Sequence, residues 1–395
     1  MNIFVICGEK SGNETLCDIL ACFFAYIKEQ KNEEKIEIKG VVSDECAIKF
    51  NISQICNSNY FSIIGFGDII FNLPSYFDKI NDISYFIADY QPDLIISIDS
   101  YELSIRIVKK TRKLLKKRNV NYKNVQFWHI GAPSVWAYWK FRAKKITKYY
   151  DKLFYFFPFE GQYFKPLEKH TNIYHKGFKS EFIGFNYAFQ QPDHNIMKNN
   201  KTIGFMIGSR KKELERHIDL ILNTIFRLKM FDNGYKFVIF ATTETFDNVK
   251  KYFSTIKNIE IICNEEDKIK KIQECMLAVA KNGSNNVVIG ALETPMITFY
   301  KTSFITWLFV KLFVKIKHFN LLNITLNDEH IPEFIQNKAT PENLLHCINY
   351  LLKNKEAREK QIRKNRQAII LMKSETYYKS HEIIAKEMLK MFKLL

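Results

Sequence analysis

The stretch "IFVICGEKSGNETLCDILACFFAYI", residues 3–27, decides the fold. A five-residue apolar run leads through the turn "GEKSG" into a segment whose apolar residues recur at helical spacing, namely Leu16, Ile19, Leu20, Phe23 and Ile27. A strand that passes through a short turn into an amphipathic helix is the repeating unit of a parallel sheet covered by helices. These residues therefore predict an α/β protein.

The same unit recurs along the chain. Further strand-like runs, separated by helical patterns, are "DLIISI" (93–98), "VQFWHI" (125–130), "KLFYFF" (152–157), "IGFMI" (203–207), "KFVIFAT" (236–242), "IEIIC" (259–263), "MLAVA" (276–280) and "PMITFY" (295–300). A polar segment rich in Asn and Gln, residues 187–202, indicates a linker. We therefore predict two doubly wound, Rossmann-like domains, residues 1–188 and 200–340, that face a ligand cleft. A helical C-terminal extension, residues 341–395, is expected to pack on the domains or to cross back between them.

Composition and charge narrow the class of partner. Hydrophobic residues make up 47% of the chain and charged residues 26%, which is typical of a folded globular protein. The balance of 59 Lys and Arg against 42 Asp and Glu gives a net charge of +17, which favours a phospholipid surface, a phosphorylated substrate or a nucleic acid. The basic residues are spread over many predicted helices without a known reader motif, so no nucleic acid is expected.

The cysteines, histidines and apolar runs argue against metal sites and membrane-spanning segments. The eight cysteines contain no C-x-x-C pair and are predicted to be reduced thiols, and the nine histidines are scattered. Neither a metal nor a cofactor is therefore expected. No signal peptide and no apolar run long enough to span a bilayer is apparent, so any membrane contact is predicted to be peripheral.

One segment suggests where such a contact would lie. In "FITWLFVKLFVKIK", residues 304–317, Lys311 and Lys315 share one face of an otherwise apolar helix. This pattern is typical of a helix that lies in a bilayer interface. A mostly buried helix with exposed lysines would give the same pattern, and we favour the membrane interpretation.

Polar motifs follow several of the predicted strands. Asp99, directly after "DLIISI", could take a proton from an acceptor hydroxyl, or it could merely cap the next helix. "GEKSG" could meet an anion at a positive helix end or be an ordinary turn. "GSR" (208–210) suits a diphosphate clamp, and "NGSNN" (282–286) occupies the equivalent place in a later turn.

Taken in order, these motifs resemble the signature blocks of the lipid-A-disaccharide synthase family. From residue 3 to residue 336 the blocks are "GEKSG", "SIIGFGDII", "PDLIISIDSYEL", "APSVWAYWKFR", "FPFE", "FIG", "GSRKKE", "NGSNN" with "ALETPMITFYK", and "LLNITLNDEHIPEFIQ". The Pro-Ser-Val-Trp-Ala block and its downstream arginine are the most specific.

The resemblance implies a fold, a reaction and its partners. The family is an inverting, metal-independent glycosyltransferase of the GT-B type. It transfers diacylglucosamine from UDP-diacylglucosamine to the 6-hydroxyl of diacylglucosamine 1-phosphate, which gives a β(1→6) tetraacyl disaccharide 1-phosphate and UDP. The implied partners are these two substrates and an anionic membrane surface, and the implied location is cytoplasmic, peripherally associated with the inner membrane. A homodimer is left open.

The resemblance also implies roles for single residues. Asp99 would be the general base, or the carboxylate that orients the acceptor hydroxyl. The residues implied on the acceptor side are Ser11 and Gly12, which shape the site, and Ser134 and Arg142, which hold the acceptor near its 1-phosphate. The implied UDP contacts are Ser209, Arg210, the backbone N–H groups of Gly283, Ser284 and Asn285, and, near the uridine, Asn323 and Gln336.

Several positions depart from the family pattern. They are Asn13 in place of an acid, Trp139 in place of an arginine, Phe185 in place of a histidine, Ile207 in place of a proline, Val288 in place of a ribose-binding glutamate, and Asn327-Asp328 in place of Gly-Arg. Two alternatives therefore stay open. One is another GT-B UDP-sugar transferase with a different donor or acceptor, and the other is a catalytically degenerate protein that binds membrane surfaces.

Overall fold

Parallel strand pairing organises the chain. The computed structural model describes residues 1–30, 34–62, 69–118, 124–169, 177–232, 234–314, 316–376 and 378–394. These residues form two units, one of Met1–Gly184 with Ser374–Leu395 and the other of Phe185–Lys373. Every strand pair within the described residues is parallel.

The first unit contains a seven-stranded sheet. Its strands are β1 (Asn2–Cys7), β2 (Glu37–Val42), β3 (Ser53–Asn57), β4 (Leu94–Ile98), β5 (Gln126–Ile130), β6 (Lys152–Tyr155) and β7 (Lys179–Phe182). They lie in the order β3-β2-β1-β4-β5-β6-β7. The order reverses between β1 and β4, which is the topological switch point of a doubly wound sheet.

Helices cover both faces of this sheet. They are α1 (Lys10–Glu29), α2 (Asp44–Phe50), α3 (Asn59–Ser62), α4 (Ile69–Tyr90), α5 (Tyr101–Lys117), α6 (Phe141–Tyr149) and α7 (Gly161–Phe164). One core packs α4, α5 and α6 against the sheet, and a second core packs α1 and α2 against its other face. All five apolar positions predicted for one face of α1 are buried.

The second unit contains a six-stranded sheet with its own core. Its strands are β8 (Asn199–Met206), β9 (Lys236–Phe240), β10 (Ile259–Ile262), β11 (Cys275–Lys281), β12 (Met296–Tyr300) and β13 (Glu333–Ile335), in the order β10-β9-β8-β11-β12-β13. Its helices are α8 (Lys211–Phe231), α9 (Phe246–Phe253), α10 (Glu265–Glu274), α11 (Asn285–Ala291), α12 (Phe304–Phe313), α13 (Leu321–Leu326), α14 (Pro341–Lys353) and α15 (Lys355–Leu371). The predicted fold class of two Rossmann-like units is confirmed.

The C-terminal helix, α16 (Ser380–Met391), belongs to the first unit. Its residues Ile384, Met388 and Leu389 are buried in the same core as α1, and Lys152 of β6 pairs with Glu387 at 2.6 Å. The structure therefore divides the predicted extension 341–395, because α14 and α15 remain in the second unit. The division between the units falls at Gly184, four residues before the predicted domain end at residue 188.

The prediction omitted four strands, β2, β3, β7 and β13. β3, β7 and β13 lie at sheet edges, where short strands with polar residues are common. β2 is internal but contains Gly40, where a Cβ atom would lie 2.3 Å from the Val5 carbonyl oxygen. Close contact with β1 thus requires a residue type that weakens the strand signal in the sequence.

A buried ion pair ties α5 to the sheet. Arg112 is 1% exposed and donates hydrogen bonds to the Asp151 carboxylate at 2.7 Å and to the Tyr149 carbonyl at 2.6 Å, and its guanidinium lies 3.9 Å from the Phe127 ring centroid. Asp151 also accepts the Phe127 backbone N–H. Each charge therefore depends on the other for compensation.

We predict that Arg112→Met lowers the free energy of unfolding by about 3–5 kcal/mol, because it leaves the Asp151 charge buried without its partner. Urea unfolding followed by circular dichroism measures the loss. The double variant Arg112→Met/Asp151→Asn is expected to recover part of it, since no unpaired charge remains. As a matched control, Arg118→Met breaks the exposed pair with Asp89 and should cost at most about 1 kcal/mol. Equal losses for the two single variants would contradict this account.

Candidate active site

The switch point of each sheet brings two loops together at its carboxyl edge. In the first unit these loops follow β1 and β4, and in the second unit they follow β8 and β11. Ligands of doubly wound sheets bind at this position. All four loops contain residues that the sequence singles out.

Asp99 directly follows β4 at the carboxyl edge of the first sheet. Its carboxylate Oδ2 accepts a hydrogen bond from the Ser11 hydroxyl at 3.1 Å, and its backbone N–H donates to the Ile130 carbonyl at 2.9 Å. The backbone at Asp99 and Ser100 is left-handed, with φ of 50° and 39°. Such consecutive strained residues cost roughly 1–3 kcal/mol each and cluster at functional sites. The two residues therefore do more than cap α5, and the Ser100 side chain makes no capping hydrogen bond.

Glycines make the room that this carboxylate occupies. A Cβ atom on Gly131, whose φ is 89°, would lie 2.6 Å from Asp99 Oδ1, and one on Gly8 would lie 2.6 Å from the Ser100 hydroxyl oxygen. Gly12 plays a different part, since its Cβ would lie 3.2 Å from the Ile98 carbonyl oxygen. Gly12 is buried and lets α1 approach β4, so it positions Ser11 through the backbone.

The surroundings of Asp99 favour proton transfer. Burial raises the pKa of its carboxyl above the ordinary value, the Ser11 hydrogen bond opposes this rise, and the Glu9 charge adds to it. A carboxylate with a raised pKa is a stronger base than an ordinary aspartate. The site thus combines a tuned carboxylate with a hydroxyl that orients it.

Asn13 has a structural role at the start of α1. Its amide nitrogen donates to the Glu9 carbonyl at 2.9 Å and to the Ser58 hydroxyl at 3.1 Å, and its oxygen accepts the Ser43 backbone N–H at 2.7 Å. A carboxylate could accept the last of these bonds but could not donate the first. The departure from an acid at this position is therefore matched by its neighbours.

The aromatic block after β5 surrounds Arg142. Its guanidinium forms an ion pair with Glu102 and lies 4.3 Å from the Trp139 ring centroid. Ser134 begins the turn of this block, and its carbonyl accepts the backbone N–H groups of Ala137 and Tyr138. Arg142 is therefore buried and paired rather than openly presented, and Glu102 is a partner that the sequence did not reveal.

The "GSR" loop opens α8 in the second unit. Gly208 has φ of 140°, and both Ser209 and Arg210 are exposed at the carboxyl end of β8. Thr242, which follows β9, donates its hydroxyl to the Ser209 carbonyl at 3.3 Å. The loop is thus held through its backbone while its side chains stay accessible.

The "NGSNN" loop adds a cation that sequence reasoning missed. Lys281 is the last residue of β11, immediately before this loop, and its ammonium lies 3.1 Å from Glu213 and 3.9 Å from the Cβ position of Gly283. Glu213 in turn packs against Gly208. Gly283 and Ser284 are exposed, and Asn285 is half-buried. The sequence signal that could have revealed Lys281 is a lysine at the end of a strand, directly before a glycine-containing loop.

The two residues predicted near the uridine, Asn323 and Gln336, make hydrogen bonds within the protein. Asn323 is fully buried, donates to the Ile331 carbonyl and to Glu333, and accepts the Ile331 backbone N–H. The Gln336 amide accepts the Thr302 backbone N–H at 2.8 Å and donates to the Thr302 carbonyl at 3.2 Å. Both amides hold the backbone of their loops, and their placement near a nucleotide stays a prediction.

Metal sites and membrane-spanning helices are both absent from the described residues. These residues contain no group of three or more His, Cys, Asp or Glu side chains placed to hold a metal ion. They also contain no helix that is both long enough and apolar enough to cross a membrane. The block "SIIGFGDII" lies mostly outside the described residues, and so does Lys315.

Sequence comparison identifies relatives over nearly the whole chain. The model of the family described as lipid-A-disaccharide synthetase matches residues 3–388. The lipid-A-disaccharide synthase of Rickettsia prowazekii is 30% identical over 370 residues, which cover 93% of each chain. That of Rickettsia canadensis is 31% identical over 367 residues, which cover 91% of this chain and 90% of its own.

Structural comparison supports the fold. The S. aureus MnaA-UDP co-structure has a TM-score of 0.60 at 12% identity and covers 100% of this chain and 97% of its own. The calicheamicin glycosyltransferase CalG4 has a TM-score of 0.58 at 10% identity and covers 99% of this chain and 98% of its own. At such low identity these likenesses concern the fold alone.

We predict that Ser11→Ala raises the pKa of Asp99 further, because it removes the hydrogen bond that stabilises the carboxylate. A pH titration of the carboxyl carbon shifts, followed by NMR, measures the change. The Asp99 signal is assigned as the one that is missing from the spectrum of Asp99→Asn. Ser11→Thr, which keeps the hydroxyl, is the matched control. A titration of Asp99 that moves to lower pH in Ser11→Ala would contradict the assigned geometry.

Proposed function

Because the chain belongs to the lipid-A-disaccharide synthase family, we propose that the carboxyl edge of its first sheet binds the sugar acceptor and that of its second sheet the UDP part of the donor. The chain is a glycosyltransferase of lipid A biosynthesis. It condenses UDP-2,3-diacylglucosamine with 2,3-diacylglucosamine 1-phosphate and releases UDP.

The observation that carries the assignment of the acceptor side is the placement of Asp99. We propose that its carboxylate takes the proton of the acceptor 6-hydroxyl as that oxygen attacks the anomeric carbon of the donor. The new C–O bond forms as the bond from the anomeric carbon to the β-phosphate oxygen breaks, and the electron pair leaves with UDP. Attack from the face opposite UDP inverts the anomeric centre, and Ser11 keeps the carboxylate oriented.

On the donor side, negative charge develops on the diphosphate as UDP leaves. We propose that Ser209 and Arg210 contact this diphosphate, together with the backbone N–H groups of Gly283, Ser284 and Asn285. The ammonium of Lys281, which pairs with Glu213 at 3.1 Å, lies beside the same loop and would share its positive charge with the diphosphate. Preorganised donors and cations aimed at developing charge are the usual means of lowering such a barrier. Val288 contributes no polar group in place of the ribose-binding glutamate.

The acylated substrates and the exposed face of α12 support a location of the protein at a membrane surface. This helix exposes Phe304, Leu308 and Leu312 at intervals of four residues, and Lys311 lies exposed beside them. We propose that this face lies in the headgroup region of an anionic membrane at the cytoplasmic side of the inner membrane. A basic chain with net charge +17 supports this orientation, because anionic lipids attract it.

The central prediction concerns Asp99→Asn. Turnover of the acylated substrate pair should fall by about 100-fold or more, since a general base is lost, while UDP binding stays nearly intact. Mass spectrometry of the disaccharide product gives the rate, and calorimetry gives the affinity for UDP.

Asp93→Asn is the matched control, because Asp93 precedes β4 at the opposite edge of the same sheet. It should leave turnover unchanged. Undiminished turnover in Asp99→Asn would remove Asp99 from the catalytic role. Turnover with an unacylated UDP-sugar and none with the acylated donor would remove the proposed acylated donor.

A second prediction concerns α12. The double variant Leu308→Ser/Leu312→Ser should weaken binding to vesicles of anionic phospholipid by at least about tenfold, because two apolar side chains no longer insert. Cosedimentation with the vesicles measures binding. Met230→Ser, which removes an exposed apolar side chain from α8 of the same unit, is the control. Equal losses for both would indicate a general rather than a local effect and would count against this face.

A further inference from the structure

Arg142 has an unusual setting for a cation. Its side chain is 8% exposed, and its guanidinium carbon lies 4.3 Å from the Trp139 ring centroid, 5.1 Å from that of Tyr138 and 5.2 Å from that of Tyr101. Planar stacking on aromatic faces stabilises a guanidinium and fixes its direction. The positive charge is therefore held in place by rings that cannot neutralise it.

Neutralisation comes from Glu102. Its carboxylate accepts a hydrogen bond from Arg142 Nη2, and among the described residues this is the only hydrogen bond that the guanidinium makes. The two partners differ in burial, since the Glu102 side chain is 55% exposed. An exposed carboxylate can turn into solvent, whereas Arg142 cannot follow it. Glu102 is therefore the partner of this pair that is free to move away.

Glu102 is also near Asp99, the proposed base for the acceptor hydroxyl. It is in the first turn of α5, three residues after Asp99. In a glucosamine ring, C1 and the carbon that bears C6 are both bonded to the ring oxygen, so a 1-phosphate and a 6-hydroxyl lie on neighbouring positions of the ring. Asp99 and Arg142 are connected through Glu102, which follows the first by three residues and pairs with the second.

We propose that Glu102 is an internal stand-in for the acceptor phosphate. In the free enzyme it compensates Arg142, and the phosphate of the bound acceptor displaces it and takes its place. The inference rests on the proposed function for the identity of the acceptor. Its content is a competition between two anions for one buried guanidinium.

The competition makes Glu102 a residue that sets the affinity for the phosphorylated acceptor. A phosphate monoester offers more charge and more acceptor oxygens than a carboxylate, so it can displace Glu102 and use guanidinium donors that the carboxylate leaves free. A lipid sugar without the phosphate gains nothing from displacing Glu102.

The test compares Glu102→Gln with the wild-type chain, using two acceptors, diacylglucosamine with and without the 1-phosphate. Glu102→Gln should lower KM for the phosphorylated acceptor by about threefold or more, because a competing charge has been removed, and the gain should appear in KM rather than kcat. The acceptor without phosphate should show no such gain. A higher or unchanged KM for the phosphorylated acceptor would overturn the proposal, as would equal shifts for both acceptors.

Two further variants isolate the cause. Arg142→Met should raise KM for the phosphorylated acceptor by about 30-fold or more, and adding Glu102→Gln to it should change nothing further. Glu45→Gln removes an equal charge from the first turn of α2 and should leave KM as it is. An additive effect of Glu102→Gln in the absence of Arg142 would assign it a role that does not pass through the guanidinium, and would overturn the proposal.

Direct binding separates this proposal from the proposed reaction. Tryptophan fluorescence reports binding of diacylglucosamine 1-phosphate without any donor, because Trp139 lies against the guanidinium. If diacylglucosamine 1-phosphate binds more tightly to Glu102→Gln than to the wild-type chain, but no sugar is transferred when the donor is added, the stand-in is supported and the proposed reaction is contradicted. No binding to either chain would overturn the stand-in together with the proposed acceptor.

Discussion

Parallel pairing is the constraint on which the first site depends. Because β1, β4 and β5 are neighbours and all run the same way, the residues that follow them must meet at one edge. The chain meets this crowding with glycine where Asp99 and Ser100 need space, and it accepts left-handed backbone at both residues. Strand order, glycine placement and local strain thus have one result, a carboxylate held at a switch point.

The fold could be predicted from the sequence wherever strands are buried on both faces. The runs that became β1, β4, β5 and β11 are nearly all apolar, and a glycine-containing or polar turn follows most of them. β7 and β13 could not be found in this way. Their four and three residues lie at sheet edges and include Glu181 and Glu333, so neither burial nor length marks them.

Some contacts of the candidate site could be predicted from the sequence and others could not. Ser11 and Asp99 are 88 residues apart, yet both follow strands, so strand order alone brings them close together. The contact of Arg142 with Glu102 joins two helices whose facing residues no strand pattern fixes. The backbone bonds of Asn323 and Gln336 could not be predicted either, because an amide that holds a backbone and an amide that binds a ligand are the same residue type. Only the positions of the neighbouring backbone groups distinguish the two.

The packing of α16 on α1 has a consequence for how the protein is made. The first unit contains both the earliest and the latest residues of the chain, with the whole of the second unit encoded between them. During synthesis, the apolar face that Ile384, Met388 and Leu389 will cover stays open after the second unit has left the ribosome. The second unit is a continuous segment of the chain, whereas the core of the first is complete only with α16. Premature termination within the last twenty or so residues would therefore damage the half of the protein that was synthesised first.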